Sequence, residues 1–372
     1  MLKLFEVTGF KNFHEKITLD FSDVRDYRFN EHCVKDGLLK NIIIYGKNAS
    51  GKSNLSLALY DIAIHLADKE YSNNRYENYL NTTYVGGEAE FRYMFQFGES
   101  IVEYIYRKST VKKLTYEKLM FNGKVLLVRD YTNAMEDDLS GIQELAPTLN
   151  FSFHKEGSIV KYAITNAAIP KEHHLNSMMH FVSSMRWSKA LDKDRVDSTD
   201  FDVIHDLFAS DINKLNNFRN MLTLAGLKDS LHVVQDPDGV KRLYSSPEYH
   251  PSGRLPFFQT ASNGTYSLFA LYVSFFLYAR AKAPPLVIID EFDAFYHFEL
   301  AETIVKLLSE QPNTQVVLTS HNTNLLTNKI MRPDCYFILT PEKLTSFANA
   351  TSRELREGHN LEKLYMSGEF SG

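Results

Sequence analysis

The sequence predicts an α/β fold: a mixed sheet assembled from both ends of the chain, with an antiparallel β subdomain and a helical insertion between them. Three observations predict it. Continuous apolar runs at Ile42-Ile43-Ile44-Tyr45, Leu286-Val287-Ile288-Ile289 and Val316-Val317-Leu318 read as strands covered on both faces, each running into glycine, carboxylate or polar residues. Residues 84–130 switch to an alternating, period-two pattern. Residues 131–235 are mostly helical in spacing.

Taken in order, Leu2–Val7 and Ile17–Phe21 read as short strands, and residues 22–37 as a polar loop. After the Ile42–Tyr45 strand, Leu55, Leu59, Ile62 and Leu66 recur at helical spacing, which predicts a helix of about four turns. Ala89, Phe91, Tyr93, Phe95 and Phe97 alternate with polar residues, and Ile101–Arg107 follows as the next strand. Asn122-Gly123 joins two further strands, since both turn residues tolerate positive φ. Arg107, Lys108, Lys112, Lys113 and Lys118 form a basic cluster that could meet phosphates; a solvated strand face is the alternative. Ser198-Thr199-Asp200 reads as a helix start and Gly226 as a helix stop. Pro237-Asp238-Gly239 reads as a turn between strands, and Ser245–Pro256 as a loop. The expected division is 1–83 and 257–372 for the two parts of the main domain, 84–130 for the antiparallel subdomain, and 131–256 for the helical insertion.

Composition supports a folded, water-exposed protein. The chain has 372 residues, 44% of them hydrophobic and 13% aromatic, too much apolar surface for a disordered chain. The net charge of −5 argues against a generally basic nucleic-acid coat, although a local basic groove stays open. The two cysteines, Cys33 and Cys335, form no CxxC, so neither a disulfide framework nor a zinc module is expected. The N-terminus lacks the apolar core of a signal peptide. The longest apolar run, Leu268–Ala279, falls short of the ~20 residues needed to span a bilayer and reads as a buried helix. A cytoplasmic protein with no membrane segment is expected.

Four motifs carry chemistry. Gly46-Lys47-Asn48-Ala49-Ser50-Gly51-Lys52-Ser53 fits GxxxxGK[ST], placed between a buried strand and a helix as a P-loop requires. Its backbone N–H groups and the helix N-terminus would face phosphates. Lys52, taken as an exposed loop lysine, would reach the β- and γ-phosphates of ATP, and Ser53 would ligate Mg²⁺. The strand Leu286–Ile289 delivers Asp290 and Glu291, a Walker B pattern. Asp290 would hold the Mg²⁺ shell and Glu291 would orient or deprotonate the attacking water. Thr319-Ser320-His321-Asn322 ends a third strand, and His321 could bond the γ-phosphate or the water. Ala261-Ser262-Asn263-Gly264-Thr265 opens an apolar helix and reads as a second anion nest, or as an ordinary N-cap by Ser262.

In this order, the four elements resemble the ABC-type ATPase heads of the SMC and RecF-like group. Val7-Thr8-Gly9-Phe10-Lys11-Asn12-Phe13 resembles the opening strand-turn of that group, and Gly46–Asn54 its P-loop. Ser262-Asn263-Gly264-Thr265 resembles its signature, Asp290–His297 its Walker B and D-loop, and Thr319–Asn322 its switch histidine. Arg332–Leu339 and Leu364–Phe370 are similar to compact ATPases of the RloA/AbiL, PARIS and OLD-like kind. The resemblance covers residues 1–60 and 257–372, and 61–256 as a pattern only. It implies a P-loop NTPase head of ABC type that binds ATP through Gly46–Asn54, with Ser262, Asn263 and Gly264 closing over the ATP of a second subunit. It implies a homo-oligomer, Mg²⁺, and a role in bacterial anti-phage defence beside a separate nuclease or toxin effector. The signature has Ala261 where the group has leucine, and neither Gln96 nor Gln143 fits a glutamine loop. A DNA-repair ATPase that binds DNA and an ATP-gated scaffold with little turnover are the alternatives.

Overall fold

The computed structural model describes residues 1–70, 73–133, 137–151, 157–167, 169–170, 172–190, 198–273 and 283–370. The chain divides into two compact units. The first takes residues 1–187, 284–290 and 312–372, and the second 188–283 and 291–311.

The first unit is built on two six-stranded sheets. In one, the order is Arg186–Lys189, Leu286–Asp290, Gln315–Thr319, Asn41–Tyr45, Tyr336–Leu339 and Leu344–Ser346. The four central strands run parallel and Leu344–Ser346 runs antiparallel, so the sheet is mixed. Asn41–Tyr45, Leu286–Asp290 and Gln315–Thr319 are buried along their whole length, as uninterrupted apolar runs require. The other sheet is antiparallel, in the order Ile17–Asp20, Leu2–Thr8, Ala89–Phe97, Ser100–Lys108, Leu114–Phe121 and Lys124–Asp130. The turn at Asn122-Gly123 has φ of 47° and 80°, the left-handed pair its sequence predicts. Gln315 links the sheets: its side-chain amide accepts from Leu2 N at 2.7 Å and donates to Leu2 O at 2.9 Å.

The helix Lys52–Ala67 lies between these sheets. Leu55, Leu59, Ile62 and Leu66 are buried, but so are Leu57 and Ile64 on the other side. One side packs on Leu286–Asp290 and Gln315–Thr319. On the other, Tyr93 of the antiparallel sheet donates its hydroxyl to Ala58 O at 2.8 Å. Deeper still, Asp61 accepts from Lys108 Nζ at 2.6 Å, Tyr106 Oη at 2.8 Å and Tyr79 Oη at 2.9 Å. Lys108 and Asp61 are 1% and 0% exposed, so the charge pair sits wholly inside the unit.

The second unit contains helices Ser198–Ser210, Ile212–Leu224, Asn263–Tyr272 and Phe298–Ser309, with a hairpin of Ser230–Gln235 and Lys241–Ser246. Its core is aromatic: Phe218 meets Phe208, Phe257, Phe269 and Tyr272 with ring centroids 5.1–6.0 Å apart. Gly226 has φ of 79°, and Leu227 N bonds Leu222 O, which ends Ile212–Leu224 where the sequence predicts.

Several expectations change. Leu2–Thr8 and Ile17–Asp20 join the antiparallel sheet, so that sheet is wider than residues 84–130. Residues 131–256 are shared between the units, divided after Trp187, and the segment 291–311 belongs with the second unit. Residues 22–37 hold a 3₁₀ turn, Glu31–Cys33, and the short strand Val34–Lys35. Lys108 leaves the basic cluster. Its strand runs one residue further than expected, which carries Lys108 onto the inward face with Val102, Tyr104 and Tyr106. Arg107 is paired with Glu90 at 2.6 Å. Residues 274–279 of the longest apolar run lie outside the described residues. Among the described residues, no helix is long and apolar enough to cross a membrane.

Candidate functional site

The loop Gly46–Gly51 leaves the C-terminal end of Asn41–Tyr45 and turns into the helix that starts at Lys52. Two of its residues need left-handed backbone, Ala49 with φ of 63° and Gly51 with φ of 101°. A Cβ on Gly51 would lie 2.4 Å from Asn12 Nδ2, and one on Gly46 would lie 2.6 Å from Leu339 O. The glycines therefore let Asn12 and the Leu339 carbonyl pack directly against the loop backbone. Lys52 is 6% exposed and points inward, donating to Gly46 O at 2.9 Å and Lys47 O at 3.2 Å. This differs from an exposed loop lysine: the ammonium sits where the loop's carbonyls converge. Ser53 is the second helical residue, with Asn54 after it.

Asn54 is held from outside the loop. Its Nδ2 donates to Asn12 Oδ1 at 2.7 Å, while Asn12 Nδ2 donates to Ser50 O at 3.4 Å. Asn12 thus bridges the loop and the first turn of the helix from the strand-turn Gly9–Phe13. The sequence draws attention to that stretch, but nothing local in it identifies a partner 42 residues away.

Asp290 ends its strand fully buried and accepts from Thr319 Oγ1 at 2.7 Å. The register Val316↔Asn41 through Thr319↔Ile44 puts Thr319 and Ser320 beside the start of the Gly46–Gly51 loop. Ser320 N donates to Ile44 O at 3.2 Å. Ser320 is buried and His321 is exposed at the strand's end. The first unit thus gathers Gly46–Asn54, Asp290 and His321 at the C-terminal edge of its parallel strands, the edge where such sheets present ligands.

The remaining predicted residues belong to the second unit. Ser262 is the N-cap of Asn263–Tyr272, its Oγ accepting from Thr265 N at 3.1 Å, so the ordinary N-cap reading of Ser262 is realised in full. Ser262 and Asn263 are exposed. A Cβ on Gly264 would come within 3.1 Å of Phe295 O, and Tyr296 Oη donates to Ser267 Oγ at 2.8 Å. The segment after Asp290 therefore packs on the helix that Ser262 caps. Glu291 itself has φ of 52°, a left-handed conformation uncommon for any residue with a side chain. Its carboxylate lies 3.5 Å from Lys189 Nζ. A lone lysine carries no motif, so nothing in the sequence singles out Lys189.

Away from these residues, burial sets several charge states. Desolvation pushes the His65 imidazole well below its usual range, helped by Lys108 and Lys161, and its Nε2 meets Tyr104 Oη at 2.8 Å. Desolvation also lowers Lys108, against the pull of Asp61, and raises Glu117, against four hydrogen-bond donors.

The family model described as "AAA domain, putative AbiEii toxin, Type IV TA system" matches residues 42–327, from the first buried strand past His321. The chain belongs to this AAA-domain family. No curated protein matches it. Among solved structures, an Smc head bound to the C-winged helix domain of ScpA is similar to it, with 16% identity, 93% of this chain and 97% of that one covered, and a TM-score of 0.54. The SMC head domain from Thermotoga maritima gives 15%, 93%, 98% and 0.46. The Smc head with an extended coiled coil, bound to the C-terminal domain of ScpA derived from Pyrococcus furiosus, gives 15%, 93%, 96% and 0.47. The fold of this AAA-domain protein is that of an ABC-type P-loop NTPase head, in a family of ATP-binding proteins.

Proposed function

We propose that this AAA-domain protein is an ATP-hydrolysing switch. The observation that carries the reading is the buried Lys52 ammonium at the centre of the Gly46–Gly51 loop, on the same sheet edge as buried Asp290. A tight loop that holds one inward cation and leads into a helix N-terminus is suited to a triphosphate. The Ser53 hydroxyl and Asp290 carboxylate are oxygen donors of the kind Mg²⁺ takes. Such an ion would neutralise developing phosphate charge. Thr319 fixes the Asp290 carboxylate by its hydrogen bond. Glu291 is the candidate base for water, and His321 a candidate contact to the terminal phosphate.

Ser262, Asn263 and Gly264 serve a second copy of the chain in this reading, so that two ATP molecules close a homo-oligomer. The exposed N-terminus of the Asn263–Tyr272 helix supports that role. Closure and release of the copies would then signal to a separate nuclease or toxin effector in anti-phage defence, a role akin to the RloA/AbiL, PARIS and OLD-like ATPases. The family description, with its AbiEii toxin and TA system, supports that direction. The DNA-binding alternative loses support, because Lys108 is buried and Arg107 is paired.

The test is ATP binding and phosphate release by wild type, Asp290→Asn and Glu291→Gln with Mg²⁺. Glu291→Gln should bind ATP and release phosphate at least tenfold more slowly. A Glu291→Gln rate within tenfold of wild type, a barrier change under ~1.4 kcal/mol, would remove Glu291 as the base.

A further inference from the structure

We infer that Lys189 is a positioning residue for the Glu291 carboxylate. The inference rests on Glu291 being the base of ATP hydrolysis. Glu291 faces two problems that its own position in the chain does not solve. It follows a buried strand end, and its backbone is left-handed, at φ of 52°. That conformation costs an L-residue free energy, and it persists only where surroundings hold it. Glu291 O does accept from Ala294 N at 3.1 Å, which fixes the backbone of the turn. That bond acts on the backbone and does not touch the carboxylate. A flexible carboxylate samples several rotamers, and a base is effective only in the one that faces the water.

Lys189 supplies a constraint on the side chain itself. Its Nζ lies 3.5 Å from Glu291 Oε2, and the two side chains are 24% and 26% exposed. A pair shielded to that extent is screened less than one on the open surface. Lys189 is in turn on a short strand, Arg186–Lys189, which lies next to Leu286–Asp290 in the sheet order. Two residues earlier on that strand, Trp187 Nε1 donates to Ser56 Oγ at 3.1 Å, on the helix that begins at Lys52. Lys189 is thus part of a paired strand. Lys189 touches neither substrate nor metal in this assignment and acts through Glu291 alone.

The test is steady-state phosphate release and equilibrium ATP binding by the full chain with Mg²⁺, for Lys189→Met, Lys189→Arg, Glu291→Gln and Lys189→Met/Glu291→Gln. Lys189→Met should lower kcat about tenfold and leave KM and ATP affinity within about threefold. Lys189→Arg, which keeps the charge, should recover most of the rate. On the Glu291→Gln background, Lys189→Met should have no further effect, because the residue it positions is already gone. An unchanged kcat in Lys189→Met, with Glu291→Gln inactive, overturns the role of Lys189 and leaves Glu291 as the base. So does a loss that is additive with Glu291→Gln, or one that Lys189→Arg fails to recover. A wild-type rate in Glu291→Gln overturns both readings at once.

Discussion

At the scale of single residues, the Gly46–Gly51 loop is held by bonds that its motif does not describe. Lys52 is a buried donor to two loop carbonyls, so its removal should do more than weaken nucleotide binding. Hydrogen bonds from a charged group contribute about 1.5–3 kcal/mol. Lys52→Ala should therefore lose measurable ATP affinity by calorimetry and also unfold at lower denaturant, by about 1–2 kcal/mol after relaxation. Wild-type affinity would remove the phosphate role, and wild-type stability would contradict the inward bonds. Asn12 allows a gentler test. Asn12→Ala deletes the link from Ser50 O to Asn54 without touching the motif. A hydrogen bond of about 1 kcal/mol corresponds to roughly fivefold in ATP affinity, with a soluble, folded protein. No change in affinity would mean the loop holds its shape unaided.

At the scale of elements, the helix Lys52–Ala67 is the piece on which the first unit is built. It is buried on both sides, and the charged cluster around Asp61 is its attachment to the antiparallel sheet. Breaking a buried ion pair from one side costs about 3–5 kcal/mol, because the other charge is left without its partner. Asp61→Leu also strips the acceptor from Tyr79 and Tyr106, so it should be more damaging than Lys108→Met in urea unfolding. Adding Lys108→Met to Asp61→Leu should restore part of the loss. A double variant less stable than Asp61→Leu alone would contradict the pairing. One turn on, His65 makes the element sensitive to acid. Its folded pKa lies below the ordinary 6.5, so below that pH the unfolded chain binds a proton that the folded one refuses. Stability from this group is present above pH 6.5 and falls as the pH drops, by up to about 1.4 kcal/mol per unit. The stability gap between wild type and His65→Gln should therefore shrink from pH 7.5 to pH 5.5. A constant or widening gap would show that His65 charges freely in the folded protein.

At the scale of the whole molecule, the predicted site residues fall in two units. Gly46–Asn54, Asp290 and His321 are in one, and Ser262–Gly264 and Glu291 are in the other. If Ser262 serves a neighbouring copy, Ser262→Arg should keep ATP binding and lose hydrolysis. Mixing it with Lys52→Ala should then restore part of the activity, since one composite site in the mixed dimer has both halves intact. Phosphate release from the mixture no greater than from either variant alone would count against sites shared between copies. The effector is tested by purifying the protein with the product of its neighbouring gene, with and without ATP and Mg²⁺. Association that ignores nucleotide would leave the switch without an output.

Local chemistry alone determined much of this protein. The strand–loop–helix around Gly46–Ser53, the carboxylate strand, the Asn122-Gly123 hairpin and the Gly226 helix stop are visible in sequence, because each depends on neighbours a few residues apart. The same holds for the alternation that puts Phe91, Tyr93 and Phe95 inside. What tertiary structure decided are pairings across long stretches of chain. Asn12 finds Asn54, Asp61 finds Lys108, and Lys189 finds Glu291. A lysine reads as a surface residue in sequence, since burying its charge is costly unless a partner is present. Only the fold could supply that partner, and it did so for Lys108 and in part for Lys189. The same logic moved Leu2–Thr8 into the antiparallel sheet, because strand order is set by the packing of whole faces and not by any run of residues.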